Sequence, residues 1–375
     1  MALAPKTKTK KSDAPFFLAT GALVVFGLLI FTSAALGQLA RDGASFTSVA
    51  TSQLLLGFVC GSILLVFFSR VDYRLWKKYT PHLFGCAVAL TLLTFVPHIG
   101  LSLKGASRWI VIGGFSFQPE ETLKFATILF LAAVYAARFK KVDTLKSGIL
   151  PLMLIAGSAA CILIAQPDTA GVIIIGMAAA GMLFAAGGKI WHLFLLVAIG
   201  VVAILAAALV YPHVASRIKT FMNQSADPQG AGYQVEQSLI AVGSGGFTGR
   251  GFGQSIEKFS YLPEPIGDSI FAVAGEEFGF VGSSLLILLF ATFGILGLRI
   301  AARAPDPFGG LLVVGLVILI VGQSFFNIAS TLALVPLVGV PLIFVSHGGT
   351  ALALSLAEVG IILSVSRHMR PTNNS

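Results

Sequence analysis

Charged residues are scarce in this sequence. Only 11% of its 375 residues are Asp, Glu, Lys or Arg, whereas 56% are hydrophobic. Soluble domains contain about 25% charged residues on average, so a chain this poor in charge could not cover a water-facing surface. The composition therefore excludes an ordinary soluble domain and indicates a membrane protein.

Cysteine and histidine are also few. Cys60, Cys86 and Cys161 lie in apolar runs without paired spacing, so the sequence indicates neither a disulfide framework nor a cysteine zinc site. The six histidines show no ligand spacing of the HExxH type. We expect packing or interfacial roles for the histidines, and no metal-ligating residue is predicted.

Long apolar runs are what the sequence has in abundance. Each run is long enough, or nearly so, to cross about 30 Å of hydrocarbon as a helix. They predict an all-α polytopic membrane protein with about ten transmembrane helices. Two runs exceed one span, so part of each is expected outside the hydrocarbon. The runs are residues 15–36, 49–69, 81–100, 121–137, 147–165, 170–187, 190–211, 268–298, 308–332 and 335–366.

The distribution of Lys and Arg predicts the topology. With the N-terminus inside and ten alternating spans, 17 of the 25 Lys and Arg residues fall on the cytoplasmic side, as the positive-inside rule requires. Both termini are therefore expected in the cytoplasm. The net charge of +9 is accounted for by this anchoring, and no nucleic-acid partner is predicted.

The predicted organisation is one membrane domain, residues 15–366, between two cytoplasmic tails, residues 1–14 and 367–375. The basic stretch Lys6–Lys11 is expected to belong to the first tail. It does not resemble the n-region of a cleaved signal, because the following apolar run is too long and more spans come after it.

Two connections on the predicted outer side are long: residues 101–120, and the large loop 212–267 between the seventh and eighth spans. Loops of this length in compact domains are usually functional or disordered. The stretch 235–242 is predicted to form a short amphipathic helix on the membrane surface. The glycine-rich run 243–253 lacks the features of a P-loop, and its glycines are expected to permit a tight backbone path or close approach of a substrate.

Carboxylates are concentrated where the large loop meets the eighth span. Asp268 follows Pro263 and Pro265, which stiffen the approach and would hold the carboxylate at one depth. A functional carboxylate at this position is one interpretation, and the alternative is that Asp268 is only the N-cap of the eighth span. Glu276 and Glu277 lie deeper in that span, so they are expected either to pair structurally or to act directly.

Basic residues on the outer side form the second candidate group. Arg108, Lys124 and Arg217 lie where the charge bias disfavours cations, and an anionic lipid head group would require such groups. Each of these cations could instead be a solvated or paired surface charge. Glu121 and Lys124, for example, are three apart on a helix and could simply pair. Trp109 has the position of an aromatic belt residue. Asp168, after Gln166-Pro167, is expected to be a cap.

The residues at this point resemble a known family. The chain resembles the SEDS (shape, elongation, division and sporulation) family over nearly its whole length, through many blocks in the family's order. The blocks are Gly105–Ile110 with Gln118-Pro119 and Lys124, Gln166–Asp168, Arg217-Ile218 with Phe221, Asp227-Pro228, Gly232–Gln234, Gln237–Ala241, Gly243–Gly246, Tyr261–Glu264 with Asp268, Gly275–Gly279, Asn327-Ile328, and Pro336–Leu342 with Ser346 and Gly348-Gly349.

This resemblance implies a peptidoglycan glycosyltransferase in the bacterial cytoplasmic (inner) membrane with an extracytoplasmic active site. It would polymerise lipid II into β-1,4-linked glycan strands with inversion and release undecaprenyl diphosphate. By this resemblance, Asp268 would be the catalytic general base, and Lys124, Arg108 and Arg217 would stabilise the leaving diphosphate. The other substrate-binding residues that it implies are Gln118, Glu121, Trp109, Tyr233, Gln234, Gln237, Ser238, Glu264 and Ser346.

The chain departs from the family pattern in places. The family commonly has Ser or Ala where this chain has Glu120, which adds a carboxylate near the proposed anion site. Ile343 replaces the second Pro of a Gly-x-Pro-Leu-Pro block, Thr350 replaces a Ser, and Ala170-Gly171 replaces Gly-Thr. These differences leave Asp268 unaffected. The stretches Ser107–Trp109 and Lys258–Glu264 favour the FtsW branch over the RodA branch.

Two other functions compete with the polymerase. A transporter could flip lipid II, although transporters tend to have repeats and interrupted helices at mid-membrane, whereas the polar residues here cluster at the outer face. A scaffold that only docks a partner would not need Asp268 and its surrounding cations. The family implies a class B penicillin-binding protein (a transpeptidase) as partner. No cofactor is certain, and a divalent cation (Mg²⁺ or Mn²⁺) that bridges the diphosphate stays open.

Overall fold

The computed structural model describes residues 12–42, 51–103, 106–112, 115–139, 141–223 and 227–369. Most of the predicted tail 1–14 and the end of the predicted tail 367–375 lie outside these ranges. The described part of the chain is a bundle of helices with one small antiparallel sheet.

Ten long helices form the bundle within the described residues, and each overlaps one of the ten predicted apolar runs. Helix α2 begins as a π-helix over Ser52–Cys60 and continues as an α-helix. The long helices are α1 (Ala14–Asp42), α2 (Ser52–Arg70), α3 (Trp76–Leu92), α4 (Pro119–Ala137), α5 (Ile149–Ala165), α6 (Thr169–Ala185), α7 (Ile190–Val210), α11 (Ile270–Ala302), α12 (Pro307–Thr331) and α13 (Gly349–Ser366), and the three helices between α7 and α11 belong to the large loop.

Six of these helices, α1, α2, α7, α11, α12 and α13, are long and apolar enough to cross a membrane. Helices α5 and α6 are shorter but also apolar. The surface of α7 shows the environment most directly, because bulky side chains such as Leu209 are almost fully exposed. Such a surface requires a hydrocarbon environment, so the all-α multi-pass membrane architecture predicted from the sequence is confirmed.

Three predicted spans have different bounds in the structure. Helix α3 begins at Trp76, ends at Leu92 and is followed by one 3-10 turn over Leu93–Phe95, so the last residues of run 81–100 are not helical. Helix α11 continues to Ala302 and is interrupted at Gly279, whose φ is +63°. The run 335–366 becomes helical only at Gly349, and residues 332–348 form an irregular segment. The residues by which this run exceeds one span therefore lie in the irregular segment.

The segment 101–120 contains a small sheet that the sequence analysis did not predict. Strands β1 (Gly100–Leu103), β2 (Ala106–Ile112) and β3 (Phe115–Phe117) pair antiparallel in that order. Trp109 lies opposite Leu101, and Ile110 lies opposite Phe117. The aromatic and β-branched residues at 109–112 favour a strand, a signal that the length of the loop concealed.

The large loop 212–267 contains helices α8 (Pro212–Met222), α9 (Ala231–Ser244) and α10 (Glu257–Ser260). The predicted helix 235–242 is confirmed and is longer than predicted. Helix α9 packs against α11, and this contact is close because a Cβ on Gly275 would lie 2.9 Å from Val242 Cγ2. Its predicted location on the membrane surface stays a prediction.

Helix α12 lies at the centre of the bundle, against α4, α6 and α11. Its Leu312 and Leu316 are fully buried. Helices α2 and α13 approach each other through glycines, since a Cβ on Gly61 would lie 2.7 Å from Leu356 Cδ1. Small residues at such contacts let helix backbones come close in a membrane, where van der Waals packing drives association.

Candidate active site

Asp268 lies in the turn that leads from the large loop into α11, and its side chain is half-buried. Helix α11 begins at Ile270, and its N-cap residue is Ser269. The alternative assignment of Asp268 as the N-cap is therefore wrong. Pro265 and Ile266 in the same turn are buried, and Pro263 before them is half-buried.

The main chain around Asp268 is held by distant elements. Asn327 of α12 donates from Nδ2 to the carbonyl of Asp268 at 2.9 Å and to the carbonyl of Val340 at 2.7 Å. Ser346 Oγ donates to the carbonyl of Gly267 at 2.8 Å, and the N–H of His347 donates to the carbonyl of Ile266 at 2.7 Å. The irregular segment 332–348 thus forms one wall of the site.

Gly339 in this wall lies close to the Asp268 carboxylate. A Cβ at position 339 would be 3.1 Å from Asp268 Oδ2. A larger side chain there would crowd the carboxylate, so the glycine leaves room at the group that is expected to act as a base.

Lys124 is buried in the first turns of α4, with 1% of its side chain exposed. Its Nζ lies 2.8 Å from Glu121 Oε1 and 2.8 Å from Gln323 Oε1. Gln323 in turn donates to the carbonyl of Pro341 at 3.3 Å. The simple i,i+3 pairing of Glu121 and Lys124 is therefore present, and Gln323 links the pair to the irregular segment beside Asp268.

Arg108 of β2 reaches the turn between α5 and α6. Its guanidinium donates to the carbonyls of Gln166, at 3.2 Å, and Pro167, and lies 3.6 Å from Asp168 Oδ1. Asp168 occupies the N-cap position of α6 but makes no capping hydrogen bond with its side chain. Asp168 is therefore the cap of this helix by position, as expected, while its side chain pairs with Arg108.

Arg217 of α8 is half-buried near both carboxylates of the site. Burial lowers the pKa of the Arg217 guanidinium, and the neighbouring Arg108 lowers it further, whereas Asp168 and Asp268 raise it in part. Within the residues that the structure describes, Arg217 has no carboxylate within 4 Å. The structure therefore brings Arg108, Arg217, Asp168 and Asp268 into one electrostatic neighbourhood.

Two further carboxylates lie beside this cluster and were not predicted as site residues. Glu120 is 4% exposed and accepts a hydrogen bond from Gln118 Nε2, and Asp168 and Arg108 act on it electrostatically. Glu358 of α13 is 5% exposed and lies within electrostatic range of Glu121 and Lys124. An ionisable residue inside a span is a functional candidate by default, and this signal could have identified Glu358.

Helix α9 supplies the remaining polar residues of this region. Gln234 Nε2 donates to Ser269 Oγ at 3.0 Å, and Ser238 Oγ donates to the carbonyl of Gln234 at 2.7 Å. Tyr233 and Gln237 are half-buried on the same helix. The helix therefore contacts the residue next to Asp268 directly through Gln234.

The last predicted site residues differ in their placement. Trp109 is half-buried in β2, and Glu264 is exposed in the turn before Asp268, with a left-handed φ of +48°. Ser346 is buried, and its Oγ accepts from the N–H of Leu342 while it donates to Gly267. Ser346 therefore acts on the backbone of the site, and its contacts are those of a structural residue.

The glycine-rich run 243–253 crosses the interruption of α11. The N–H groups of Arg250 and Gly251 donate to the carbonyls of Glu276 and Glu277, each at 3.0 Å. A Cβ on Gly279 would lie 2.3 Å from the nitrogen of Gly249. The prediction that the glycines permit a tight backbone path is confirmed.

Glu276 and Glu277 are paired structurally, as one of the two predicted alternatives stated. Glu277 Oε1 lies 2.5 Å from Lys258 Nζ, and Glu276 Oε1 lies 3.4 Å from Arg250 Nε. Among the described residues, no group of three or more His, Cys, Asp or Glu side chains has an arrangement that could hold a metal ion.

The fold and the site together define a polytopic membrane protein with a cluster of acidic and basic side chains at one end of its helical bundle. The FtsW/RodA/SpoVE family model, described as cell cycle protein, matches residues 14–371. The chain belongs to this family, which confirms the resemblance found in the sequence.

Two relatives illustrate the similarity in sequence. The chain is 37% identical to stage V sporulation protein E of Bacillus subtilis (strain 168), over 97% of this chain and 99% of that protein. It is also 37% identical to a probable peptidoglycan glycosyltransferase FtsW of Geobacter sp. (strain M18), over 93% of this chain and 95% of that protein.

Solved structures show the same fold. A chain of a peptidoglycan synthase complex superposes with a TM-score of 0.77 at 23% identity, covering 95% of this chain and 98% of that chain. The rod shape determining protein RodA of Thermus thermophilus superposes with a TM-score of 0.68 at 24% identity, covering 96% and 98%. These likenesses concern the arrangement of the helices.

Proposed function

We propose that this protein is an inverting peptidoglycan glycosyltransferase that polymerises lipid II into β-1,4-linked glycan strands. Relatives of similar length named probable peptidoglycan glycosyltransferase FtsW support the activity. The observation that carries the proposal is the half-buried carboxylate of Asp268, in a turn with an anchored main chain, within electrostatic range of Arg217.

Asp268 acts as the general base in this proposal. Its carboxylate takes the proton from the 4-hydroxyl of the acceptor sugar while that oxygen attacks the anomeric carbon of the donor. The bond from the anomeric carbon to the diphosphate breaks in the same step, so an α-linked donor gives a β-linked product. Gly339 supports this role because it leaves the carboxylate uncrowded.

The departing undecaprenyl diphosphate gains negative charge, which fixed positive groups stabilise. Arg217 suits this role best, since it has no carboxylate within 4 Å among the described residues and its lowered pKa reflects burial beside another cation. Arg108 and Lys124 are held by Asp168 and Glu121. These two support the charge of the cluster as a whole, and a bound Mg²⁺ or Mn²⁺ would add to it at the diphosphate.

The proposal places the site on the extracytoplasmic side of the bacterial inner membrane, with both termini in the cytoplasm. The excess of Lys and Arg in the predicted cytoplasmic segments supports this orientation. A class B penicillin-binding protein is the proposed partner. The similar fold found in a complex that coordinates polymerization and crosslinking supports this assignment.

Purified protein in liposomes with labelled lipid II tests the proposal. Wild-type protein, with and without the partner and Mg²⁺ or Mn²⁺, is expected to form glycan polymer with β-linkages. Asp268→Ala is expected to lower the rate by about 10²–10⁴-fold, as loss of a general base does. Asp143→Ala, which removes an exposed carboxylate far from the site in sequence, is the control.

The competing functions give different results in the same assay. Labelled lipid II that crosses the bilayer without forming polymer would identify a flippase. Absence of both activities with the partner present would leave a scaffold. Full polymerisation by Asp268→Ala would contradict the proposed catalytic role.

A further inference from the structure

The proposed reaction makes no use of a buried ion pair between α10 and α11. Lys258 and Glu277 are both fully buried, and Lys258 Nζ lies 2.5 Å from Glu277 Oε1. Ser33 of α1 completes a triangle, because its Oγ accepts from Lys258 Nζ at 2.7 Å and donates to Glu277 Oε1 at 2.6 Å. We call Lys258, Glu277 and Ser33 the latch.

The latch closes a loop in the chain. Asp268 comes ten residues after Lys258 and nine residues before Glu277, so it lies at the middle of the segment whose two ends the ion pair joins. The segment enters at α10, turns at Pro263–Ser269 and returns as the first part of α11. A shift of Lys258 relative to Glu277 would therefore move the turn that carries Asp268.

Both ends of this closed segment are held firmly. The Glu276 carboxylate accepts from the N–H of Ile256 at 2.9 Å and from Ser255 Oγ at 2.5 Å, directly before α10. On the side of α1, a Cβ on Gly37 would lie 2.7 Å from the carbonyl of Lys258. Helix α10 is thus packed between α1 and α11, and its position depends on both.

We propose that Lys258 is a positioning residue of the transferase site, and that its pair with Glu277, bridged by Ser33, sets the depth of the Asp268 carboxylate. This inference rests on the proposed function. Because Ser33 belongs to α1, the first helix takes part in holding the segment that carries Asp268.

The chemistry of buried ion pairs provides a way to separate positioning from stability. Removal of one partner leaves an uncompensated buried charge and is strongly destabilising, whereas neutral replacement of both partners is often tolerated. The double variant Lys258→Met/Glu277→Gln keeps the size of both side chains and removes both charges. It is therefore the informative variant, with Lys219→Met, at an exposed lysine, as the matched control.

The first measurement compares kcat and KM for lipid II with the thermal midpoint of the same preparations. Misplacement of a reacting group by about 1 Å can cost about 100-fold in rate. We expect the double variant to lose about 100-fold in kcat, with its KM and thermal midpoint close to wild type. Ser33→Ala is expected to show a smaller loss of the same kind. A kcat within twofold of wild type, or a loss of kcat that follows the loss of folded protein, would overturn the proposal.

The second measurement does not depend on polymerase activity. Asp268→Cys, in a background in which Cys60, Cys86 and Cys161 are replaced, is titrated with a charged thiol reagent, with and without the latch. We expect removal of the latch to change the modification rate of Cys at 268 several-fold, and Lys219→Met to leave it unchanged. Equal rates with and without the latch would contradict the inference while leaving the result for Asp268→Ala, and so the proposed function, intact.

Discussion

The backbone of the turn that carries Asp268 is anchored by hydrogen bonds from three residues. The carbonyls of residues 266–268 accept hydrogen bonds from His347, Ser346 and Asn327, and Gly339 brings a bare backbone to within reach of the carboxylate. A glycine at such a point permits close approach of a substrate. Steric room at the carboxylate is therefore a property of position 339 as much as of Asp268.

The variant Gly339→Val tests this steric argument. The added side chain would crowd Asp268 Oδ2, since the Cβ alone would lie 3.1 Å away. We expect the polymerisation rate to fall by at least about tenfold, which corresponds to about 1.4 kcal/mol in the barrier. Gly200→Val, in a part of α7 where a Cβ meets no atom within 4 Å, is the control in the same lipid II assay. Equal rates for both variants would contradict the argument.

The sequence supplied candidates for the site but not their contacts. Two prolines and a change from loop to span marked Asp268 as a candidate with a helix N-cap as the alternative, and only the family resemblance implied its role as a base; the spacing of Glu121 and Lys124 places them on one helix face. The contacts of Asn327 and Gln323 could not be predicted, because their partners are 59 and 199 residues away in sequence. Such contacts depend on how α12 packs against the irregular segment, which no local pattern encodes.

At the scale of elements, the interruption of α11 determines how the large loop is attached. Gly279 has a φ of +63°, so the helix exposes the carbonyls of Glu276 and Glu277 to the N–H groups of Arg250 and Gly251. Helix α10 comes after Arg250 and Gly251 in the chain and before α11, and Glu257 is its first residue. The loop is thus attached to α11 by main-chain hydrogen bonds as well as by ion pairs.

Glu257 makes the stability of this attachment depend on pH. Burial raises the pKa of Glu257 above its ordinary value of 4.5, Glu276 raises it further, and Arg250 lowers it in part. Folding therefore favours the protonated form, so the stabilisation is complete below pH 4.5 and is lost as the pH rises through the raised pKa. We expect Glu257→Gln to gain thermal stability relative to wild type between pH 5 and pH 8.

Thermal midpoints at both pH values measure this difference. Glu236→Gln, an exposed residue of α9, serves as the control and is expected to show no such trend. A difference between Glu257→Gln and wild type that does not change with pH would show that Glu257 has the same pKa in the folded and unfolded states.

At the scale of the whole molecule, the bundle is held by close helix contacts and by polar contacts at both ends. Tyr73, between α2 and α3, donates from Oη to Asp306, which lies directly before α12 and also accepts from the N–H of Gly309 at 3.0 Å. Between the ends, α2 and α13 meet through Gly57, Gly61 and Gly360. The second and last long helices are therefore packed as one unit.

The variant Gly61→Leu tests this packing. Its Cβ would lie 2.7 Å from Leu356 Cδ1 and 3.0 Å from the Cα of Ala353, so backbone would have to move. Overpacking of this kind costs about 1–3 kcal/mol, and we expect a lower midpoint in thermal unfolding of the detergent-solubilised protein. Gly85→Leu, where a Cβ meets no atom within 4 Å, should have little effect. Similar midpoints for the two variants would show that α2 and α13 adjust without cost.

The hydrogen bonds from Asn327 and Ser346 end on carbonyl oxygens, which every amino acid possesses. Replacement of the carboxylate at position 268 by an amide therefore leaves these anchors in place. Asp268→Asn is consequently expected to keep the shape of the site without its base, and so to be suited to determining a structure with the lipid-linked donor and acceptor bound together.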